Sequence, residues 1–162
     1  MLNDKTIILD AIIEQLHSEL NTAISSADSA RLAATDEQSV AETQYDTLGI
    51  EASYLAHGQS ERAAALINDI NLYKKLKSRC QQPLTEITIG ALVEITGEQA
   101  NQQRHYFIGP SSGGIKVCVD SLTITVISSE APLAQELLQR QLDDEIVWPP
   151  KSNSYWLISQ IS

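Results

Sequence analysis

Leu9, Ile13, Leu16, Leu20, Ala23, Ala27, Ala30 and Ala34 follow one another at steps of four and three. An apolar repeat of that spacing forms a seam along an α-helix, the mark of a coiled coil. Neither Pro nor Gly interrupts the chain from Met1 to Leu48. Ala52, Ala56, Gln59, Ala63, Leu66, Ile70 and Tyr73 repeat the spacing in a second stretch, about residues 50–79. The first seam runs from large side chains to small ones, and the second from small to large. The two gradients match when the helices lie antiparallel, so the sequence predicts a helical hairpin whose far end is slim. From Leu9 to Ala34 the first helix measures roughly 39 Å at about 1.5 Å per residue. Such a hairpin is expected to project from the rest of the protein.

The slim end coincides with an unusual distribution of charge. Residues 33–56 contain Asp36, Glu37, Glu42, Asp46 and Glu51 and no Lys or Arg; the flanking bases are Arg31 and Arg62. A polar turn between helices accounts for some of this. Thr35–Gln38 and Ser39–Glu42 also fit capping boxes, with acids near a helix start. The other reading is an acidic tip for a metal ion or a basic groove. Tyr45 and Tyr54 flank these acids, and Gly49 permits a tight turn.

Pro83 ends the helical pattern, and the period changes after it. Residues 86–97 (EITIGALVEITG), 104–110 (RHYFIGP), 113–128, 143–150 and 154–162 read as strands bounded by Gly, Pro and Ser. Residues 129–141 (SEAPLAQELLQRQ) read as one short helix, with Ser129 as N-cap and Pro132 in the first turn. The expected fold is α+β: a coiled-coil hairpin over residues 1–80, a linker at 81–86, and a small antiparallel β domain with one helix over 87–162. Trp148 and Trp156 are expected to close its core. Gly109–Gly114 is read as a hairpin loop, because it has no Lys and no phosphate-binding glycine spacing.

Charge and composition exclude several functions. The formal net charge of the 162 residues is −10. Residues 1–80 hold 7 basic and 12 acidic side chains, and residues 81–162 hold 4 and 9. Neither half has a basic footprint for nucleic acid phosphates, so basic proteins or cations are the expected partners. Cys80, Cys118, His17, His57 and His105 form no metal-ligand spacing, and the thiols suit a reducing cytoplasm. The start carries acids and no basic region, unlike a signal peptide, and no run approaches a membrane span. Ser111, Ser112, Ser128 and Ser129 have no triad partners, so nucleophilic catalysis has no support, and no independent active site is seen.

Several stretches resemble the bacterial Gre transcript-cleavage factors, GreA and GreB. Tyr106–Pro110 (YFIGP) is similar to the family's strand ending IVGP. Ala131–Val147 (APLAQELLQRQLDDEIV) is similar to its SPLGRALLG helix and VGDEV strand, and Ile87–Ile95 to the first strand of that domain. At the tip the family reads GDLKENAEY, against Asp46–Tyr54 (DTLGIEASY) here. Aligned on Tyr54, Thr47 and Ile50 stand where the family carries its two acids, and the nearest acidic pair is Asp46 and Glu51. In the β domain Ala131 replaces the family's Ser before Pro132, and Gln135 replaces its basic residue.

The resemblance implies an FKBP-like β domain and RNA polymerase as partner. Family members seat the β domain at the rim of the polymerase secondary channel and pass the hairpin inward. Their tip acids help the polymerase's own site hydrolyse backtracked RNA. Two-metal hydrolysis needs hard oxygen ligands for Mg²⁺ and a water of lowered pKa. On this reading Asp46 and Glu51 are the metal-binding pair, with Glu42 next. Asp36, Glu37, Tyr45 and Tyr54 complete the tip, and Pro132, Leu133 and Gln135 meet the polymerase rim. No cofactor is held stably; the only ion called for is Mg²⁺ shared with the polymerase. Neither sequence-specific nucleic acid binding nor a membrane is implied. One alternative keeps the docking and drops the cleavage. Another is an FKBP-like interaction module, whose aromatics would be Tyr106, Phe107, Trp148, Tyr155 and Trp156.

Overall fold

The computed structural model describes residues 5–35, 48–79, 84–98 and 102–162. Two long helices come first, α1 (Lys5–Thr35) and α2 (Leu48–Lys77). After them come β1 (Leu92–Gly97), β2 (Gln103–Gly109), β3 (Lys116–Val119), β4 (Leu122–Ser128), α3 (Pro132–Leu137), β5 (Glu145–Val147) and β6 (Tyr155–Ile161). The chain forms two compact units: Leu16–Ile70, and Met1–Gln15 together with Asn71–Ser162.

Within the first unit the small-residue seam is the buried one. Leu16, Ala23 and Ala30 on α1 and Ala63, Leu66 and Ile70 on α2 are buried. The flanking seam positions Leu20, Ala27, Ala34, Ala52, Ala56 and Gln59 are half-buried. Arg62 Nη2 reaches Glu19 Oε2 at 3.1 Å. In the other unit Lys77 pairs with Asp10. These ties run in opposite chain order, so the helices are antiparallel. Both pairs sit at the surface and add little stability.

One seam position differs from expectation. Ile13 is half-buried, whereas Ile8, Leu9 and Ile12 are fully buried. The first turns of α1 belong to the unit that contains the sheet. There the helix buries a stripe wider than a two-residue seam, and the step from Leu9 becomes three rather than four.

The sheet has the order β3-β4-β2-β1-β6-β5. Four of its neighbouring pairs are antiparallel, but β2 and β4 are parallel. The sequence reading of a wholly antiparallel sheet is therefore corrected to a mixed one. After β2 the chain skips one place to lay β3 at the edge, and β4 returns through the gap. The strand that fills a gap left this way runs with its inner neighbour. The same topology corrects the reading of Gly109–Gly114: it joins strands that are not adjacent, so it is not a hairpin loop. Ser112 and Gly114 take positive φ within it, at 53° and 99°.

Both faces of the sheet are buried at its centre. Val93, Ile95, Ile108, Ile127, Trp156 and Ile158 form one core with Leu133, Ala134 and Leu137 of α3. Trp148 packs against its side, as the sequence predicts for both tryptophans. The opposite face holds Leu92, Phe107, Ile124 and Val126, all buried. Each such side chain contributes about 1.5–3 kcal/mol over its exposed state. α3 starts at Pro132, whose fixed φ suits the first helical position. Its N-cap is Ala131, with no side-chain cap, and not Ser129. Ser129 is tied to the end of β2 instead: its N–H donates to Gly109 O, and its carbonyl accepts the Gln135 amide.

Tyr73 ties α2 to the sheet within this unit. The residue is fully buried, and its hydroxyl donates to Ser111 O at 2.7 Å. That hydroxyl lies against Gly109, where a Cβ would overlap it and would also meet Val126 Cγ1 at 3.0 Å and Ser111 O at 3.2 Å. Gly58 on α2 is the contrary case, with open space around its Cα.

Two predictions follow from these glycines. Gly109→Ala should lower stability by about 2 kcal/mol through overpacking, and Tyr73→Phe by about 1 kcal/mol through the lost hydrogen bond. Removing the hydroxyl also removes the closest of these contacts, so the double variant should lose less than the two single losses added. Urea denaturation of the four proteins reads the difference, and strict additivity would contradict the packing described. Gly58→Ala should raise the unfolding free energy by about 0.5–1 kcal/mol in the same assay, because a helix interior favours Ala.

Candidate functional site

Glu51 lies in the first turn of α2. Free N–H groups and the helix dipole favour a carboxylate there. Tyr54, one turn on, is 74% exposed, and Leu32, Ile50 and Leu55 are exposed as well. These side chains lie at the ends of α1 and α2 nearest the acid-rich stretch. Asp36, Glu37, Glu42, Tyr45 and Asp46 lie outside the described residues. The predicted Asp46–Glu51 pair thus has one described member. Thr35 closes α1, with its hydroxyl directed to Arg31 O at 3.0 Å, and the rest of the Thr35–Gln38 capping box lies outside the described residues. Among the described residues no group of three or more His, Cys, Asp and Glu side chains could hold a metal ion.

The second predicted surface is α3. Pro132 and Gln135 are exposed. Leu133 is 6% exposed and belongs to the core, so its side chain is committed to packing. Gln135 uses its amide to hold the Ser129 carbonyl, joining α3 to the end of β4.

A third grouping was not foreseen from the sequence. Glu94 of β1 sits between β2 and β6 on the face opposite α3. Its Oε2 lies 2.9 Å from His105 Nε2. Its Oε1 accepts the Ser159 hydroxyl at 2.7 Å, and Thr96 donates to Ser159 Oγ at 3.0 Å. The His105 and Glu94 side chains are only 12% and 20% exposed. The carboxylate, not the imidazole, is the shared group, so Ser159 does not face a histidine base as a triad nucleophile would. The arrangement instead clasps three strands where β6 shifts register between Glu94 and Ile95. The alternation of β1 puts Glu94 on the same face as Leu92, which marks it as a half-buried charge. That His105 and Ser159 would meet it depends on strand order, which no local pattern encodes.

On the other face, the Arg104 guanidinium lies 4.6 Å from the centre of the Trp156 ring. Trp156 Nε1 donates to Trp148 O at 2.9 Å, which fixes the ring. His57 pairs with Glu61 on an exposed turn of α2, and Cys118 is an exposed free thiol on β3.

Comparison with known proteins adds the following. No family model matches the chain, and no curated protein sequence matches it. Among solved structures it is similar to the GreA factor homolog 1 (Gfh1) protein of Thermus thermophilus. That match has 16% identity and a TM-score of 0.35 and covers 93% of this chain and 94% of that one. Thermus aquaticus Gfh1 matches at 17% identity and TM-score 0.37, covering 91% and 92%. A prokaryotic transcription elongation factor, GreA/GreB from Nitrosomonas europaea, matches at 20% identity and TM-score 0.37, covering 64% of this chain and 93% of that one.

The clasp has a measurable consequence. Glu94→Ala takes the carboxylate from His105 and leaves Ser159 only the longer bond to the residue 94 carbonyl, 3.3 Å away, and should cost about 1–3 kcal/mol. Glu94→Gln keeps an acceptor oxygen and should cost less than half as much. Thermal denaturation of the two variants checks the order, and equal losses would remove the hydrogen bonds from the account.

Proposed function

We propose that the chain is a Gre-type factor that binds RNA polymerase at its secondary channel and directs an acidic helical tip toward the polymerase active site. The observation that carries the reading is the antiparallel helix pair, whose buried seam passes from Leu16 and Ile70 to Ala23, Ala30 and Ala63. Two helices meeting through alanine make a slim rod, and this one leads to the five acids of residues 33–56, a stretch with no Lys or Arg. The partner and the reaction rest on the sequence resemblance at Tyr106–Pro110 and Ala131–Val147. The chemistry belongs to the polymerase. The chain contributes oxygen ligands for Mg²⁺ from Asp46 and Glu51, with Glu42 next, and keeps cations away from that ion.

A second reading is channel occupancy without cleavage. It is favoured by Thr47 and Ile50, which stand where the family carries its acids, and by the five-residue spacing of Asp46 and Glu51. Stalled elongation complexes separate the two. If the tip acids assist hydrolysis, the chain shortens backtracked RNA, and Asp46→Asn with Glu51→Gln lowers the rate at least about tenfold. If the chain only occupies the channel, transcription slows with no shortened transcript. Cleavage that neither substitution weakens would overturn the tip assignment.

A further inference from the structure

Where β1 ends beside β6, a cleft of about 380 Å³ opens between Thr96, Glu98, Glu145, Tyr155 and Leu157. Strand register builds it. Glu145 stands opposite Leu157, Val147 opposite Tyr155, and Thr96 opposite Leu157. Paired residues share a face, so Glu145, Val147, Tyr155 and Leu157 lie together on the face opposite α3. Val147, Tyr155 and Leu157 are 36%, 49% and 39% exposed. Three adjoining large apolar side chains thus remain in water on a sheet that is otherwise buried at its centre. Trp156, between Tyr155 and Leu157, is only 6% exposed and bonded to Trp148, so the platform is firmly backed.

The charges of this cleft are of one sign. Its charged lining residues are Glu98 and Glu145. The nearby cation Arg104 is stacked on Trp156. Apolar area beside two carboxylates complements an occupant with apolar side chains next to Lys or Arg. A second copy of the chain fits poorly: the net charge is −10, and a two-fold contact would set these carboxylates against their own images.

We propose that this cleft is a docking site for an extended basic segment of a partner protein. The segment lays an apolar side chain on Val147, Tyr155 and Leu157 and sets cations beside Glu98 and Glu145. The proposal does not depend on the reading of the helix pair and is tested without polymerase.

The probe is a short synthetic peptide alternating Lys and Val, titrated into the isotope-labelled full chain at physiological ionic strength and followed by amide NMR shifts. A Lys–Ser peptide and a Glu–Val peptide are the controls. Saturable shifts should centre on Thr96–Glu98, Glu145–Val147 and Tyr155–Leu157, with the Lys–Val peptide binding at least about fivefold more tightly than either control. Glu98→Gln with Glu145→Gln should weaken binding about fivefold. Asp120→Asn with Glu136→Gln removes the same charge elsewhere and should change it less than about twofold. Leu157→Ser, checked for an unchanged amide spectrum away from the cleft, should also weaken it about fivefold. Three results would each overturn the proposal: equal binding of the Lys–Ser peptide, shifts centred outside the cleft, or equal effects of the two charge-removing pairs. Concentration-dependent shifts of the cleft amides without peptide would overturn it too, by assigning the surface to self-contact.

Discussion

Burial on both faces of one sheet is the constraint that the β unit has to satisfy. Along β1, Val93 and Ile95 turn toward α3 while Leu92 turns to the other side, and all three are buried. A strand in that position has no free face for a polar residue. Glu94 is tolerated because His105 and Ser159 meet its carboxylate as it leaves water. The same requirement explains Gly109. Tyr73 brings a hydroxyl down to the Ser111 carbonyl, and only a residue without a side chain leaves room for it.

Much of this was legible in the sequence, because helix seams and strand alternation are local signals. Every seam position expected on α2 from Ala52 to Tyr73 is buried or half-buried. On α1 the single misplacement, Ile13 for Ile12, falls in the turns that belong to the unit containing the sheet. The strand segments were found, and Trp148 and Trp156 went where their size demanded. What escaped was long-range. The parallel β2–β4 pair arises because β3 is laid down one place too far out, which no residue in either strand announces. Ser129 looked like a helix cap, but its backbone was already engaged by Gly109 and Gln135. The clasp around Glu94 joins residues 65 positions apart and is invisible to any window of spacing.

The candidate tip was legible in another sense. A run of acids without a compensating base shows in composition alone, and Glu51 and Tyr54 stand exposed on the first turns of α2. The small seam gives that reading its physical content. Alanine makes a poor hydrophobic core, since each methyl buries little area. A helix pair that accepts alanine over this length gives up stability for slenderness. Intrahelical hydroxyl bonds, Ser53 to Gly49 O and Ser60 to Ala56 O, keep polar groups close to the rod and add no width.

The rims of the sheet carry a last implication. The outermost strands are β3, with four residues, and β5, with three. Lys116 begins the first of them and is exposed. A neighbouring molecule approaching edge-on finds a ladder of only a few rungs, one of them guarded by an ammonium group. Strand addition at the edges of this sheet therefore has little purchase, even when the protein is crowded to high concentration.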